Sequence, residues 1–178
     1  RPHRIINTGD YLLFMLRVRE IVEELKVFER NKVPFDVKVL GVATYIQTSS
    51  VRRTARILSE LHPVSKTSVW NWIRKFEEKL PVVSEKKRRY LIALDETVVK
   101  SNKKAYYVYS AVDVEKNELI LMRVYTNRNY LVSRSFLKEV LKFCENKPRF
   151  IVDKAPWLID ALKSLDLEFE HQTFRREK

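Results

Sequence analysis

The sequence predicts an α+β protein in two unlike halves, and three observations carry that expectation. Over residues 1 to 80 the apolar residues recur at helical spacing and no run reads as a strand. From residue 90 onward, short apolar or alternating runs bounded by turn residues are interleaved with two helical patterns. Two of those runs, Arg89-Tyr90-Leu91-Ile92-Ala93-Leu94-Asp95-Glu96-Thr97 and Arg149-Phe150-Ile151-Val152-Asp153, each deliver an aspartate, and the two aspartates lie 58 positions apart. Strands this apolar are expected inside a sheet, buried on both faces.

The first half is basic. Residues 1 to 89 hold 19 Lys plus Arg against 10 Asp plus Glu, whereas residues 90 to 178 hold 16 against 13, within a chain of net charge +12. Such a surplus points to an anionic partner, nucleic acid before membrane. Tyr11 to about Arg30 reads as a long amphipathic helix behind the cap-like Asn7-Thr8-Gly9-Asp10. A second helix is expected from about Val37 to Gln47. A third, about Val51 to Leu61, follows the caps Thr48-Ser49-Ser50. After the break His62-Pro63-Val64, Ser65 can cap a fourth, Lys66 to Lys79, with Val69, Trp72, Ile73 and Phe76 as its inward stripe. Thr67, Asn71 and Arg74 then share an outward face.

A short break before a capped basic helix is the pattern of a helix-turn-helix, whose last helix enters the major groove of DNA. Asn71 and Arg74 have the side chains that read adenine and guanine, and Arg52, Arg53 and Lys66 those that hold phosphates. The same residues would also suit the solvated surface of a helical bundle. Residues 81 to 89, with Pro81 and the cations Lys86, Lys87, Arg88 and Arg89, read as a basic linker between a DNA-binding domain at 1–80 and a second domain at 90–178.

In the second half, turns at Lys103-Lys104 and Glu115-Lys116-Asn117 divide three strands, the second at Ala105 to Val114 and the third at Glu118 to Tyr125. A helix from Asn129 to about Glu145, the strand Phe150 to Val152, a helix from Pro156 to Leu165 and a strand from Leu167 to His171 complete the order β-β-β-α-β-α-β. A meander followed by βαβαβ gives a mixed sheet with helices on its faces, because parallel strands need crossovers. This is the order of the ribonuclease-H-like fold. A carboxylate where a buried strand ends is costly to dehydrate without a cation or donors, so Asp95 is a candidate metal ligand. Asp in that position is also a common turn former or helix cap.

Several function classes are excluded. Cys144 is the single cysteine, so neither an internal disulfide nor a cysteine-based zinc site is available. Gly9 and Gly41 are the only glycines, which leaves no Gly-rich phosphate loop. His3, His62 and His171 are isolated from one another. No apolar run approaches the ~20 residues that span a bilayer, so the expectation is a soluble protein of the cytoplasm, associated with the nucleoid and not with membrane. The start, Arg1-Pro2-His3-Arg4, has no initiator Met, which suggests a fragment or a lost natural start.

Asp95-Glu96-Thr97, the run Tyr106-Tyr107-Val108-Tyr109-Ser110-Ala111-Val112-Asp113, and Val152-Asp153-Lys154-Ala155-Pro156-Trp157 together resemble the DDE-type transposases of small bacterial and archaeal insertion sequences, most closely the IS six group. The resemblance covers most of the chain, since those proteins also carry an N-terminal helix-turn-helix. It implies binding to double-stranded DNA at element terminal repeats and at target sites, metal-dependent cleavage and strand transfer, and a homo-oligomeric assembly. It implies that Asp95 and Asp153 are catalytic ligands of Mg²⁺ or Mn²⁺, the ions activating the attacking oxygen and stabilising the leaving one.

The family's third acid is a glutamate on a helix several residues beyond the segment resembling Gln172-Thr173-Phe174-Arg175. The chain stops at Lys178, and Glu177 stands too close to Phe174 to replace it. The expectation is therefore a domain without its C-terminal helix or third acid, binding metal weakly or not at all and impaired in strand transfer. The alternative is a non-catalytic DNA-binding remnant that competes with or regulates an intact transposase. Glu96 is expected to be turned away from the site by strand alternation, Asp113 to be a turn or strand-edge residue, and Lys154 and Trp157 either to position DNA or to serve as surface and core.

Overall fold

The structure is a computed structural model that describes residues 35–79, 81–83, 85–101, 104–152 and 155–171. The first expected helix, Tyr11 to Arg30, lies outside these residues, as do Asp153, Lys154 and Glu177. Three helices come first, α1 (Phe35–Thr48), α2 (Val51–Ser59) and α3 (Lys66–Lys79). Strands β1 (Leu91–Ser101), β2 (Lys104–Asp113) and β3 (Glu118–Tyr125) follow. Helix α4 (Tyr130–Leu141), strand β4 (Arg149–Val152), helix α5 (Pro156–Ser164) and strand β5 (Phe169–His171) close the order.

The five strands form one sheet in the order β3-β2-β1-β4-β5. The β1–β2 and β2–β3 pairs are antiparallel, while β4 runs parallel to β1, and β5 to β4. Short turns serve the meander and helices serve the crossovers, as chain connectivity requires. Asn117 takes a left-handed conformation (φ 55°) in the β2–β3 turn, where an Asn tolerates it at low cost. The expected mixed sheet of ribonuclease-H-like order is thus observed.

Each face of the sheet has its own core. Ile92 and Leu94 of β1, with Tyr109 and Ala111 of β2, are covered by Phe136, Leu137 and Val140 of α4 and Leu158, Ala161 and Leu162 of α5. On the other face, Val99, Val108 and Val112 pack with Val39, Leu40 and Ala43 of α1, Leu58 of α2, and Val69, Trp72, Ile73 and Phe76 of α3. The inward stripe expected for α3 is therefore fully buried. Side chains supply the caps as the sequence suggests: Ser50 Oγ accepts from Arg53 N (3.2 Å), Ser65 Oγ from Ser68 N (3.1 Å), and Asn129 Oδ1 from Val132 N (2.9 Å).

Helices α1, α2 and α3 each contact the other two, and at Gly41 of α1 they approach closely. A Cβ added there would stand 2.9 Å from Leu58 Cδ1 and 3.2 Å from the Trp72 ring. Gly41→Val is expected to destabilise the protein by about 1–3 kcal/mol through overpacking, measured as a lower urea midpoint with an unchanged slope.

Two expectations are corrected. The first strand does not end at its acids; β1 runs six residues past Asp95 to Ser101. Thr97, Val98 and Val99 are β-branched, and β2 pairs along the whole length, from Ile92↔Asp113 to Ser101↔Lys104. The parallel ladder to β4, in contrast, is described only from Leu91↔Arg149 to Ala93↔Ile151.

The second correction concerns the basic run at 86–89. Arg89 is 0% exposed and the half-buried Lys87 pairs with Glu118 at 3.2 Å, so two of its four cations are committed to ion pairs within the protein. The Arg89 guanidinium donates to Asp113 Oδ2 (2.9 Å), Glu118 Oε2 (3.2 Å), Phe143 O (2.9 Å) and Glu85 O (2.9 Å). Its backbone is held on both sides by the Asn146 amide, at 2.8 and 2.7 Å. Asp113 also accepts from Lys116 N (3.0 Å), so it is both the turn residue expected and a buried ion-pair partner.

Candidate active site

Asp95 and Glu96 sit at the middle of β1, facing Ser110 and Tyr109 of β2 in register. Strand alternation gives them opposite faces. Asp95 is half-buried and lines a cavity of about 230 Å³ together with Leu94, Glu96, Arg128, Ala155, Trp157 and Leu158. This cavity lies where β1 passes the start of α5.

Glu96 shares the face of Ile92 and Leu94, toward α4 and α5, opposite to that of Asp95, and it lines the same cavity. Its side chain is 8% exposed. A buried carboxylate needs donors on both oxygens, and Glu96 has them: Trp157 Nε1 donates to Oε2 (3.0 Å), and Arg128 donates to Oε1 through Nε (2.7 Å) and also forms a salt bridge. The Arg128 guanidinium lies 4.2 Å from the Trp157 ring centroid and 5.3 Å from that of Tyr107. Hydrogen bonding to Glu96 raises the Arg128 pKa above its ordinary value. Burial holds the Tyr109 phenol far above the usual tyrosine range, with Glu96 adding to the rise. Sequence reasoning missed this cluster because its members stand at positions 96, 128 and 157 with no spacing signature.

The register carries the strongest geometric link to the second aspartate. Each described β1–β4 pair joins residues 58 positions apart, as in Ala93↔Ile151. Asp95 and Asp153 are separated by the same number. Among the described residues no group of three or more His, Cys, Asp or Glu could hold a metal ion. The donor chemistry at the cavity is nevertheless of the right kind, since an Asp oxygen suits Mg²⁺ or Mn²⁺.

The residues expected to read DNA are all exposed: Arg52 and Arg53 on α2, and Lys66, Thr67, Asn71 and Arg74 on α3. Trp70, beside Asn71, is 48% exposed and does not close the core. No described helix is long and apolar enough to cross a membrane.

A mixed sheet of order β3-β2-β1-β4-β5 with an acid at mid-β1 is the arrangement of a ribonuclease-H-like domain. A family model described as a DDE domain matches residues 90–178. The chain belongs to the DDE-type transposases, in the IS six group. It is 39% identical over 157 residues to an uncharacterised protein of Methanocaldococcus jannaschii, covering 88% of this chain and 73% of that one. It is 29% identical over 138 residues to a transposase for the insertion-sequence-like element IS431mec of Staphylococcus aureus, covering 74% of this chain and 61% of that one. A cryo-EM structure of a simian T-cell lymphotropic virus intasome, in complex with a PP2A regulatory subunit, aligns with a TM-score of 0.38 at 14% identity, over 65% of this chain and 45% of that one.

Proposed function

We propose that this chain acts in DNA transposition, binding the ends of an insertion sequence and carrying the metal-dependent carboxylates that cleave and join phosphodiesters. The observation that carries this reading is the shared offset: the β1–β4 register and the Asp95–Asp153 spacing are both 58. Were the pairing to continue in that register, Asp95 would stand opposite position 153 of the chain. Asp95 and Asp153 would hold Mg²⁺ or Mn²⁺, and the bound ions would activate a water or 3′-hydroxyl and stabilise the leaving oxygen. Asp95 would fix one ligand position from a rigid strand, paired along its length with β2. A third carboxylate completes the set in the family.

Residues 1–80 would form the DNA-binding part, 81–89 the connection, and 90–178 the DDE part. Element terminal repeats and target DNA are the partners, the assembly is a homo-oligomer as in the family, and the place of work is the nucleoid. Arg52, Arg53 and Lys66 would hold phosphates, while Thr67, Asn71 and Arg74 face bases. Arg74→Ala is then expected to weaken binding to the terminal repeat by about 1–3 kcal/mol and to relax its specificity. Arg52→Ala should weaken all sequences alike and flatten the salt dependence by about one phosphate contact. Fluorescence-anisotropy titrations at several salt concentrations separate the two.

The deciding experiment incubates the protein with labelled terminal-repeat duplex and Mg²⁺ or Mn²⁺, beside a binding assay. Metal-dependent cleavage lost in Asp95→Ala supports the transposase reading. Binding without cleavage supports the alternative of a DNA-binding regulator.

A further inference from the structure

We propose that Trp70 is a further base-reading residue of α3, laid against the methyl group of a thymine in the major groove. The inference rests on the reading of α3 as the helix that enters that groove. Val69, Trp72, Ile73 and Phe76 are buried in one core with α1, α2 and the sheet, so the orientation of the opposite face is fixed. That face holds Thr67, Trp70, Asn71 and Arg74, all of them exposed. With 3.6 residues per turn, Trp70 stands about 60° round the helix from Thr67 and about 40° from Arg74. A groove that met those two side chains would meet the indole as well.

Charge selects both the partner and the end of the helix. Residues 50–75 carry six cations, Arg52, Arg53, Arg56, Lys66, Arg74 and Lys75, against the single acid Glu60. The acids of α3, Glu77 and Glu78, are confined to its last residues and are exposed. Phosphates are therefore drawn to the first turns of α3 and repelled from its end. Trp70 is the fifth of 14 residues, in the half of a recognition helix whose side chains reach base edges. A protein partner would be met by a contiguous apolar patch. On α3, among the described residues, the indole is the one exposed large hydrophobic, and the face around it is polar or cationic.

The chemistry of indole narrows the contact. The ring offers one N–H donor and no acceptor, so its broad face needs an apolar surface. In a duplex the base faces are stacked on one another, and the apolar group that a base pair shows in the major groove is the thymine methyl. Asn71 and Arg74 would read bases by hydrogen bonds, and Trp70 adds a contact that neither can supply.

The test titrates the full chain with fluorescently labelled terminal-repeat duplex, and with copies in which one thymine at a time is replaced by deoxyuridine, which removes only the methyl. At one position the unaltered protein is expected to lose about 3- to 10-fold in affinity, as for the loss of one buried methyl group. Trp70→Ala should bind the unmodified duplex at least that much more weakly and be indifferent to that replacement, while Trp70→Phe keeps an aromatic face and part of the sensitivity. A merely structural role would give the same loss on every duplex, so non-additivity at one thymine is the signature. Trp70→Ala that binds like the unaltered protein, or that responds to every replacement as the unaltered protein does, overturns the inference and leaves the proposed function standing. So does an unaltered protein that prefers the terminal repeat yet ignores every replacement. A changed sedimentation mass of Trp70→Ala with unchanged DNA affinity also overturns it, giving the indole to a second copy of the chain. An unaltered chain with no preference for the terminal repeat over a scrambled duplex overturns both.

Discussion

Arg89→Met is expected to lower folding stability by about 3–5 kcal/mol, the cost of leaving a buried charge without its partner. Arg89 is fully buried, and its guanidinium ties the segment before β1 to the β2–β3 turn and to the end of α4. Removing it strands Asp113, which is 1% exposed, while Glu118 keeps Lys87. Arg89→Lys should recover only part of the loss. A single ammonium cannot reach two carboxylates and the carbonyls of Val83, Glu85 and Phe143 in the directions that the planar guanidinium serves.

The double variant Arg89→Met with Asp113→Leu is expected to be more stable than Arg89→Met alone, because the uncompensated charge is gone. Urea unfolding of the unaltered protein, Arg89→Met, Asp113→Leu and the double variant forms the cycle that measures this coupling.

The same cluster sets the acid sensitivity. Burial pushes the Glu118 carboxyl up, but hydrogen bonds and charge from Lys87 and Arg89 outweigh it and its pKa is lowered. A carboxyl depressed in the folded state contributes stability that is present above its ordinary value of 4.5 and is lost as pH falls through its folded value. Urea midpoints are therefore expected to fall between about pH 5 and pH 3, and Glu118→Gln should reduce that slope. A midpoint as pH-sensitive in Glu118→Gln as in the unaltered protein would assign the acid loss elsewhere.

Asp95→Ala is the substitution expected to matter most for activity. A metal ligand at a phosphoryl-transfer site supports several kcal/mol of transition-state stabilisation, so metal-dependent cleavage should drop by about 1,000-fold or more. Affinity for the terminal repeat should change little, because the basic residues assigned to DNA lie on α2 and α3, away from β1 in the chain. Asp95→Asn separates charge from shape, keeping the size of the side chain and one oxygen but losing the negative charge. Equal losses in Asp95→Ala and Asp95→Asn would show that charge, not bulk, is what the site needs. Cleavage that survives both substitutions would remove Asp95 from the catalytic set.

Much of the fold is legible in the sequence because the signals are local. The stripe Val69, Trp72, Ile73 and Phe76 fixes α3 by periodicity, and Ser50, Ser65 and Asn129 announce helix starts because capping is satisfied within three residues. The meander and its turns follow from alternating runs and from Glu115-Lys116-Asn117. The spacing of the two aspartates is also a sequence property, and it gains meaning when the β1–β4 register proves to have the same offset.

The length of β1 was decided by its partner. Asp95-Glu96 reads as a stop, yet the antiparallel ladder to β2 carries the strand to Ser101. Charge gave the opposite error at Arg89. Four adjacent cations look solvated, and only the fold brings Asp113, Glu118 and three backbone carbonyls around one of them.

Local periodicity and capping, then, determined the order of elements and the candidate acids by themselves. Tertiary structure alone decided which charges are buried and paired, and it alone assembled Glu96, Arg128 and Trp157 at the cavity beside Asp95. The physical reason is that a buried charge is stabilised by donors from remote segments, which no short window of sequence contains.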